Sequence, residues 1–178
     1  MGLLPALLLA GCALSPGGSL PPLPPESSGE AGYRLAPGDR VRVTVFGAED
    51  LSGEFRVNTV GKVSLPLIGS VAALGLTPRQ FAAAIGRRLR DGYMRDPKIS
   101  VAVTEHRPIY VLGEVGEPGR YEYVPDMTVL NAVALAGGYS YRANQGHVTV
   151  SRDGRDYRAA TDAELRPDDV VRVPERYF

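Results

Sequence analysis

Between Val57 and Gly69 the chain reads V-N-T-V-G-K-V-S-L-P-L-I-G, and no other stretch restricts its fold as much. Val57, Val60 and Val63 are β-branched residues around a turn at Asn58-Thr59-Val60-Gly61, where Gly61 can take positive φ. Ser64 to Gly69 then reads as a short apolar strand. Its Pro66 donates no hydrogen bond, which predicts a sheet edge or a bulge there. A helix is signalled next. Thr77 is the N-cap, Pro78 the first helical residue, and Gln80 completes a Thr-x-x-Gln capping box. Leu76 and Phe81 are spaced as a hydrophobic staple. Phe81, Ile85 and Leu89, with Ala82 beside them, form one apolar face. Arg87, Arg88 and Arg90 sit near the C-terminal end, where cations suit the helix dipole and a solvated surface. Gly92 is the stop. A hairpin turn, an apolar edge strand and a packed helix make a small α+β unit.

The residues around this unit extend it to a domain over 33–106. Leu35-Ala36-Pro37-Gly38-Asp39 is a turn into Arg40 to Val45, an alternating strand with its valines on one face. Glu54 to Val57 is a second strand, and Ile99 to Val103 a last one behind Pro97. A second domain is predicted over 107–178. Ile109 to Val115 and Arg120 to Val124 read as paired strands around the turn at Gly116-Glu117-Pro118-Gly119. Thr128 caps a short helix with Val129, Leu130, Val133 and Ala134 as its apolar face, ended by Gly137-Gly138. A hairpin around Asp153-Gly154 joins His147–Val150 to Asp156–Arg158, and Val170 to Val173 is the final strand. Two strands, a helix and further strands is a β-grasp order. The expected architecture is therefore α+β, two small mixed domains in tandem. One echo links them: Leu35 to Val43 matches Leu165 to Val173 at Leu, Pro, Asp, Val, Arg and Val. One turn geometry used twice to launch a strand explains it.

Charge excludes one class of partner. Twenty basic residues balance twenty acidic ones, so no basic patch argues for nucleic acid. The N-terminus is more informative. Leu3 to Ala10 is apolar, far short of the roughly 20 residues that cross a bilayer, and fits a signal-peptide core. No Lys or Arg precedes it, which suggests a translation start upstream. The run ends in Leu9-Ala10-Gly11-Cys12, and Cys12 is the only cysteine. This resembles the bacterial lipoprotein box, which implies a signal peptide over 1–12, lipidation of Cys12 and a membrane held through that lipid. Ala13 after the cysteine implies, by the same resemblance, sorting to the outer membrane. Residues 13–32 read as a disordered Pro/Gly/Ser linker, with five of the fifteen prolines between Ser15 and Gly32.

Together these residues resemble the polysaccharide export outer-membrane lipoproteins. Tyr33 to Asp39, Val57 to Gly69 and Gly75-Leu76-Thr77 match their export domain. Val111 to Val115, Pro118-Gly119, Thr128 to Ala132 and Ala136-Gly137-Gly138 match the soluble-ligand-binding β-grasp module. The resemblance implies a homo-oligomeric ring in the periplasm beneath the outer membrane. It also implies capsular or exopolysaccharide cargo in the lumen and an inner-membrane polysaccharide co-polymerase below. The best-known members continue into a helix that crosses the outer membrane. Here five residues follow the last strand, too few for a hydrocarbon layer of about 30 Å. A separate outer-membrane β-barrel is the expected pore partner, since a barrel needs about eight or more strands that this sequence does not supply.

No catalytic constellation, cofactor loop or metal-ligand spacing is present in the sequence. His106 and His147 read as strand-end surface residues. Tyr121 and Tyr123 on one strand face, and Tyr139 and Tyr141 past the helix stop, are the candidates for sugar contact, because a phenol offers a flat apolar face and a hydroxyl. Packing between domains or subunits is the competing role. Three functions follow: a subunit of a polysaccharide export conduit, a monomeric periplasmic carbohydrate-binding lipoprotein, or a cell-wall-modifying enzyme. The resemblance favours the first.

Overall fold

The computed structural model describes residues 20–25 and 32–176. The alternating valines organise the first domain. In β1 (Arg40–Val45), Val41, Val43 and Val45 are buried while Arg42 and Thr44 face water. β1 lies between β2 (Gly53–Arg56) and β5 (Ile99–Glu105) in a three-stranded antiparallel sheet. β3 (Lys62–Leu65) and β4 (Gly69–Ala72) form a separate two-stranded ribbon. Helix α1 (Pro78–Arg90) packs on β5 and buries Phe81, Ala84, Ile85 and Leu89 in the same core. Burying Phe81, Ile85 and Leu89 stabilises by about 1.5–3 kcal/mol each. The capping box forms as the spacing predicts. The Gln80 amide donates to Thr77 Oγ1 at 3.2 Å, and the Thr77 amide to Gln80 Oε1 at 3.0 Å.

The opening stretch departs from its reading in two ways. The turn at Asn58–Gly61 forms, with Gly61 at φ 73°. Its flanks do not make a hairpin ladder, however, because β3 pairs with β4 instead of β2. The expected strand over Ser64–Gly69 is interrupted: Ser64 and Leu65 end β3, Gly69 opens β4, and the residues between are the loop of that ribbon. Leu65 faces Gly69 across the ladder, and Pro66-Leu67-Ile68 closes it. The Ile68 amide donates to Pro66 O at 2.7 Å across Leu67, which stands at φ 61°. This is the rarer, strained sense of a γ-turn. Pro66 lacks a donor, so the chain reverses there instead of continuing a strand.

The second domain is a five-stranded mixed sheet under a short helix. Its strands are β6 (Ile109–Gly113), β7 (Gly119–Tyr121), β8 (Val148–Arg152), β9 (Arg155–Ala159) and β10 (Val170–Val173). The order is β7-β6-β10-β8-β9, with β6 and β10 parallel at the centre and the other pairs antiparallel. Helix α2 (Val129–Leu135) lies between β7 and β8 in the chain and buries Val129, Ala132 and Val133. Leu130, expected on that face, is 52% exposed, and Ala136 just past the helix is buried instead. With only seven residues, the helix buries its narrow small-residue side and leaves Leu130 outside. β7 ends at Tyr121, so Tyr123 and Val124 lie beyond the strand predicted for them.

The Pro-rich segment also differs from its expectation. Residues 20–25 dock on the second domain instead of standing off as a spacer. The Leu23 amide donates to Arg158 O at 2.9 Å, and the Arg158 amide to Pro21 O at 2.8 Å. Pro22 bridges Arg158 in the parallel sense, and Leu23 packs against the core. β9 is an edge strand with free backbone groups, and an extended segment with a missing donor at Pro22 satisfies them on one side.

Candidate functional site

The two echoed segments are one turn built twice. In the first, the Asp39 amide donates to Ala36 O at 3.2 Å, and the Ala36 amide to Asp39 Oδ2 at 2.8 Å. In the second, the Asp169 amide donates to Arg166 O at 3.1 Å, and the Arg166 amide to Asp169 Oδ2 at 2.7 Å. Pro37 and Pro167 occupy the second position of each turn. Gly38 at φ 101° and Asp168 at φ 72° occupy the third. This is the type II pattern, in which the third residue must adopt positive φ. Both turn carboxylates are buried and each takes an arginine. Asp169 pairs with Arg152 through Nε at 2.9 Å and Nη2 at 2.6 Å, within the second domain. Asp39 takes Arg107 from the segment between the domains, Nε to Oδ1 at 3.1 Å.

Arg107 reaches both turns. Its Nη1 also pairs with Asp168, the third residue of the second turn. The side chain runs over Gly38, where an added Cβ would lie 3.5 Å from Arg107 Cγ. One guanidinium therefore ties the entrance of β1 to the entrance of β10. Aromatic rings line the same junction. His106 stands edge-on to Tyr33, with centroids 4.8 Å apart, and to Tyr123 at 5.5 Å. His106 is thus half-buried between two rings, not the surface residue expected. Burial, and then the Asp39 carboxylate, push the Tyr33 phenol above its ordinary pKa. Its buried hydroxyl lies beside Asp39 and Arg107, which act on it in opposite directions. Burial works against the charge on Arg107, but Asp39, Tyr33 and Asp168 outweigh it and the net direction is upward.

A second constellation forms where β6 and β10, the parallel pair, end side by side. Gly116 and Gly137 bring two loops into backbone contact there: a Cβ on Gly116 would meet Gly137 O at 2.9 Å. The Gly116 amide donates to Gly138 O at 3.0 Å and the Ser140 amide to Glu114 O at 3.1 Å. Ser140 Oγ donates to Glu114 Oε2 at 2.6 Å. On the other side, the Asn144 amide donates to Pro174 O at 2.9 Å and the Arg176 amide to Arg142 O at 2.8 Å. Arg142 pairs with Glu175, and this hydrogen bond raises the guanidinium's pKa.

The four candidate tyrosines separate in this setting. Tyr121, Tyr123 and Tyr139 are half-buried and pack against the second core. The Tyr121 hydroxyl donates to Glu117 O. The Tyr139 hydroxyl is buried without a hydrogen-bond partner among the described residues, and burial raises its pKa. Tyr141 alone presents its ring to solvent, at 86% exposure. Cys12 lies outside the described residues. His147 is half-buried just before β8. Among the described residues no three of His, Cys, Asp and Glu converge as metal ligands would. Sequence reasoning missed Arg107, Ser140, Arg142 and Glu175. Only Arg107 left a trace, through the duplicated Pro-x-Asp turn whose carboxylates call for cations.

The protein-family comparisons divide the chain in the same order. The model described as polysaccharide biosynthesis/export protein matches residues 27–104, and the SLBB domain model matches residues 108–160. The exopolysaccharide production protein ExoF of Rhizobium meliloti (strain 1021) is 38% identical over 156 residues, 81% of this chain and 35% of that protein. The polysialic acid transport protein KpsD of Escherichia coli is 29% identical over 126 residues, 69% of this chain and 23% of that protein. The matched parts thus span about a third of the first relative's length and less of the second's. With an export domain, then an SLBB domain, each on its own hydrophobic core, the chain belongs to the polysaccharide export protein family.

Proposed function

We propose that this protein is a subunit of a ring-shaped conduit through which a capsular polysaccharide or exopolysaccharide leaves the cell. The observation that carries the reading is the tandem order of the two domains, export then SLBB, with Arg107 fastening one to the other. A conduit wall needs each subunit to hold a fixed shape, and a charged tie from the buried Asp39 of one turn to the exposed Asp168 of the other restrains the hinge. The names of the two relatives, one for exopolysaccharide production and one for polysialic acid transport, support the same cargo class. In this proposal Cys12 carries the lipid and the ring sits on the periplasmic face of the outer membrane. An inner-membrane polysaccharide co-polymerase and an outer-membrane β-barrel are its partners. No helix among the described residues is long and apolar enough to cross a membrane. The protein acts by shape and positioning and needs no cofactor.

The test is deletion of the gene in the producing bacterium. Secreted polysaccharide should fall to background while lipid-linked or periplasmic polymer accumulates, and a plasmid copy should restore secretion. A Cys12→Ser copy should restore it poorly. Unchanged secretion in the deletion strain contradicts the proposal.

A further inference from the structure

We infer that Tyr141 is a stacking platform for an uncharged sugar ring, at the end of the second domain where β6 and β10 stop. This deepens the export reading, on which it rests, by assigning a contact site for the cargo. Three features of the site carry it.

The first is presentation. Tyr141 is the most exposed large hydrophobic side chain among the described residues, yet it sits in a fastened turn. The Ala143 amide donates to Ser140 O at 3.1 Å, and the Arg142 amide to Ser140 Oγ at the same distance. Ala143 is buried and bridges Glu175, and Tyr139 on the other flank bridges Val115. The chain on both sides of the ring is thus held by backbone bonds to different parts of the sheet. An aromatic on a rigid support loses little freedom on binding, which favours contact with a weak ligand.

The second feature is the chemistry around the ring. A pyranose has one face of C–H groups and a rim of hydroxyls. The C–H face suits the negative face of a phenol ring. The rim needs planar, multidentate partners, and Arg142 and Glu175 lie next to Tyr141 as a guanidinium–carboxylate pair, each about half exposed. Such a pair can donate to one sugar hydroxyl and accept from its neighbour. Glu114 and Ser140 extend the polar rim on the side of the β6–β7 loop.

The third feature is charge. Arg142 is already paired with Glu175, and Arg176 is likewise engaged. The carboxylates Glu114 and Glu175 add negative charge. Among the described residues beside the ring, the charge of Arg142 is already balanced by Glu175, so the site suits a neutral hexose over a sialic acid. Tyr121, Tyr123 and Tyr139 are spent on the core and offer no comparable face.

The experiment is NMR titration of the full chain with neutral gluco-, galacto- and manno-hexasaccharides, and separately with oligosialic acid. With at least one neutral oligosaccharide, shifts should appear at Tyr141, Arg142 and Ser140, saturating in the millimolar range, and oligosialic acid should bind at least tenfold more weakly. Tyr141→Ala should weaken neutral-sugar binding at least tenfold with an unchanged melting temperature, while Tyr141→Phe, which keeps the ring, should bind within about threefold of wild type. Absence of shifts with every neutral sugar, preference for the anionic one, or equal binding by Tyr141→Ala overturns the assignment. So does a Tyr141→Ala chain that binds sugar normally but assembles differently, since the ring is then a subunit contact. These outcomes leave the gene-deletion result untouched, so failure of the site and failure of the export role are read separately.

Discussion

Replacing Arg107 with methionine tests how the two domains are joined. Asp39 has no exposed side-chain surface, and Arg107 is 20% exposed. Without the guanidinium, the buried carboxylate keeps the Ala36 amide, with the Tyr33 hydroxyl beside it. Breaking a buried pair from one side destabilises by about 3–5 kcal/mol. The partial exposure of Arg107 lets water follow, which puts the expected loss near the lower figure, about 3 kcal/mol. The other arm contributes little, because Asp168 is 57% exposed and exposed pairs stabilise by about 0–1 kcal/mol. Urea denaturation of wild type, Arg107→Met, Asp39→Asn, the double variant and Asp168→Asn separates these contributions. The double variant should be more stable than the sum of its parts by at least about 1 kcal/mol, because removing the charge relieves the stranded carboxylate. Asp168→Asn should lose less than about 1 kcal/mol. The reasoning is refuted if Arg107→Met loses under about 1 kcal/mol, or if Asp168→Asn matches it.

Three further outcomes follow from the same geometry. Arg152 and Asp169 are almost fully buried, so Arg152→Met should destabilise the second domain by about 3–5 kcal/mol; Arg152→Met with Asp169→Asn should recover part of that in thermal melts. Tyr33 holds its proton above the ordinary phenol value, so the native state binds the proton more tightly than the unfolded chain. Stability from this group is complete below about pH 10 and falls as pH rises beyond it, and Tyr33→Phe should flatten that alkaline decline in pH-dependent melts. Leu67 is 68% exposed at positive φ, so Leu67→Gly should leave stability unchanged or raise it by up to about 1 kcal/mol, read from denaturation midpoints.

Local signals told most of the fold. The valines of β1, the capping box at Thr77 and the Gly137-Gly138 stop each bring their physical cause within a few residues. The repeated Leu-x-Pro-x-Asp turn was legible for the same reason. What the sequence hid depends on distant partners. Nothing around Arg107 announces that it bridges residues 68 and 61 positions away. Pro21–Leu23 has the composition of a solvated spacer, and only the free edge of β9 makes it a docking segment. The γ-turn at Leu67 runs against the propensity of leucine and is imposed by the Leu65–Gly69 pairing. Among the four tyrosines, types and spacing looked alike, and only packing against the second core distinguished Tyr141 from the rest.

The central claim is that the protein works as one subunit of a many-membered ring. Mass photometry of the complex, extracted in mild detergent from cells that are secreting polysaccharide, tests it most directly. The account predicts a particle many times heavier than the 19.0 kDa chain. A single protomer in such cells contradicts it.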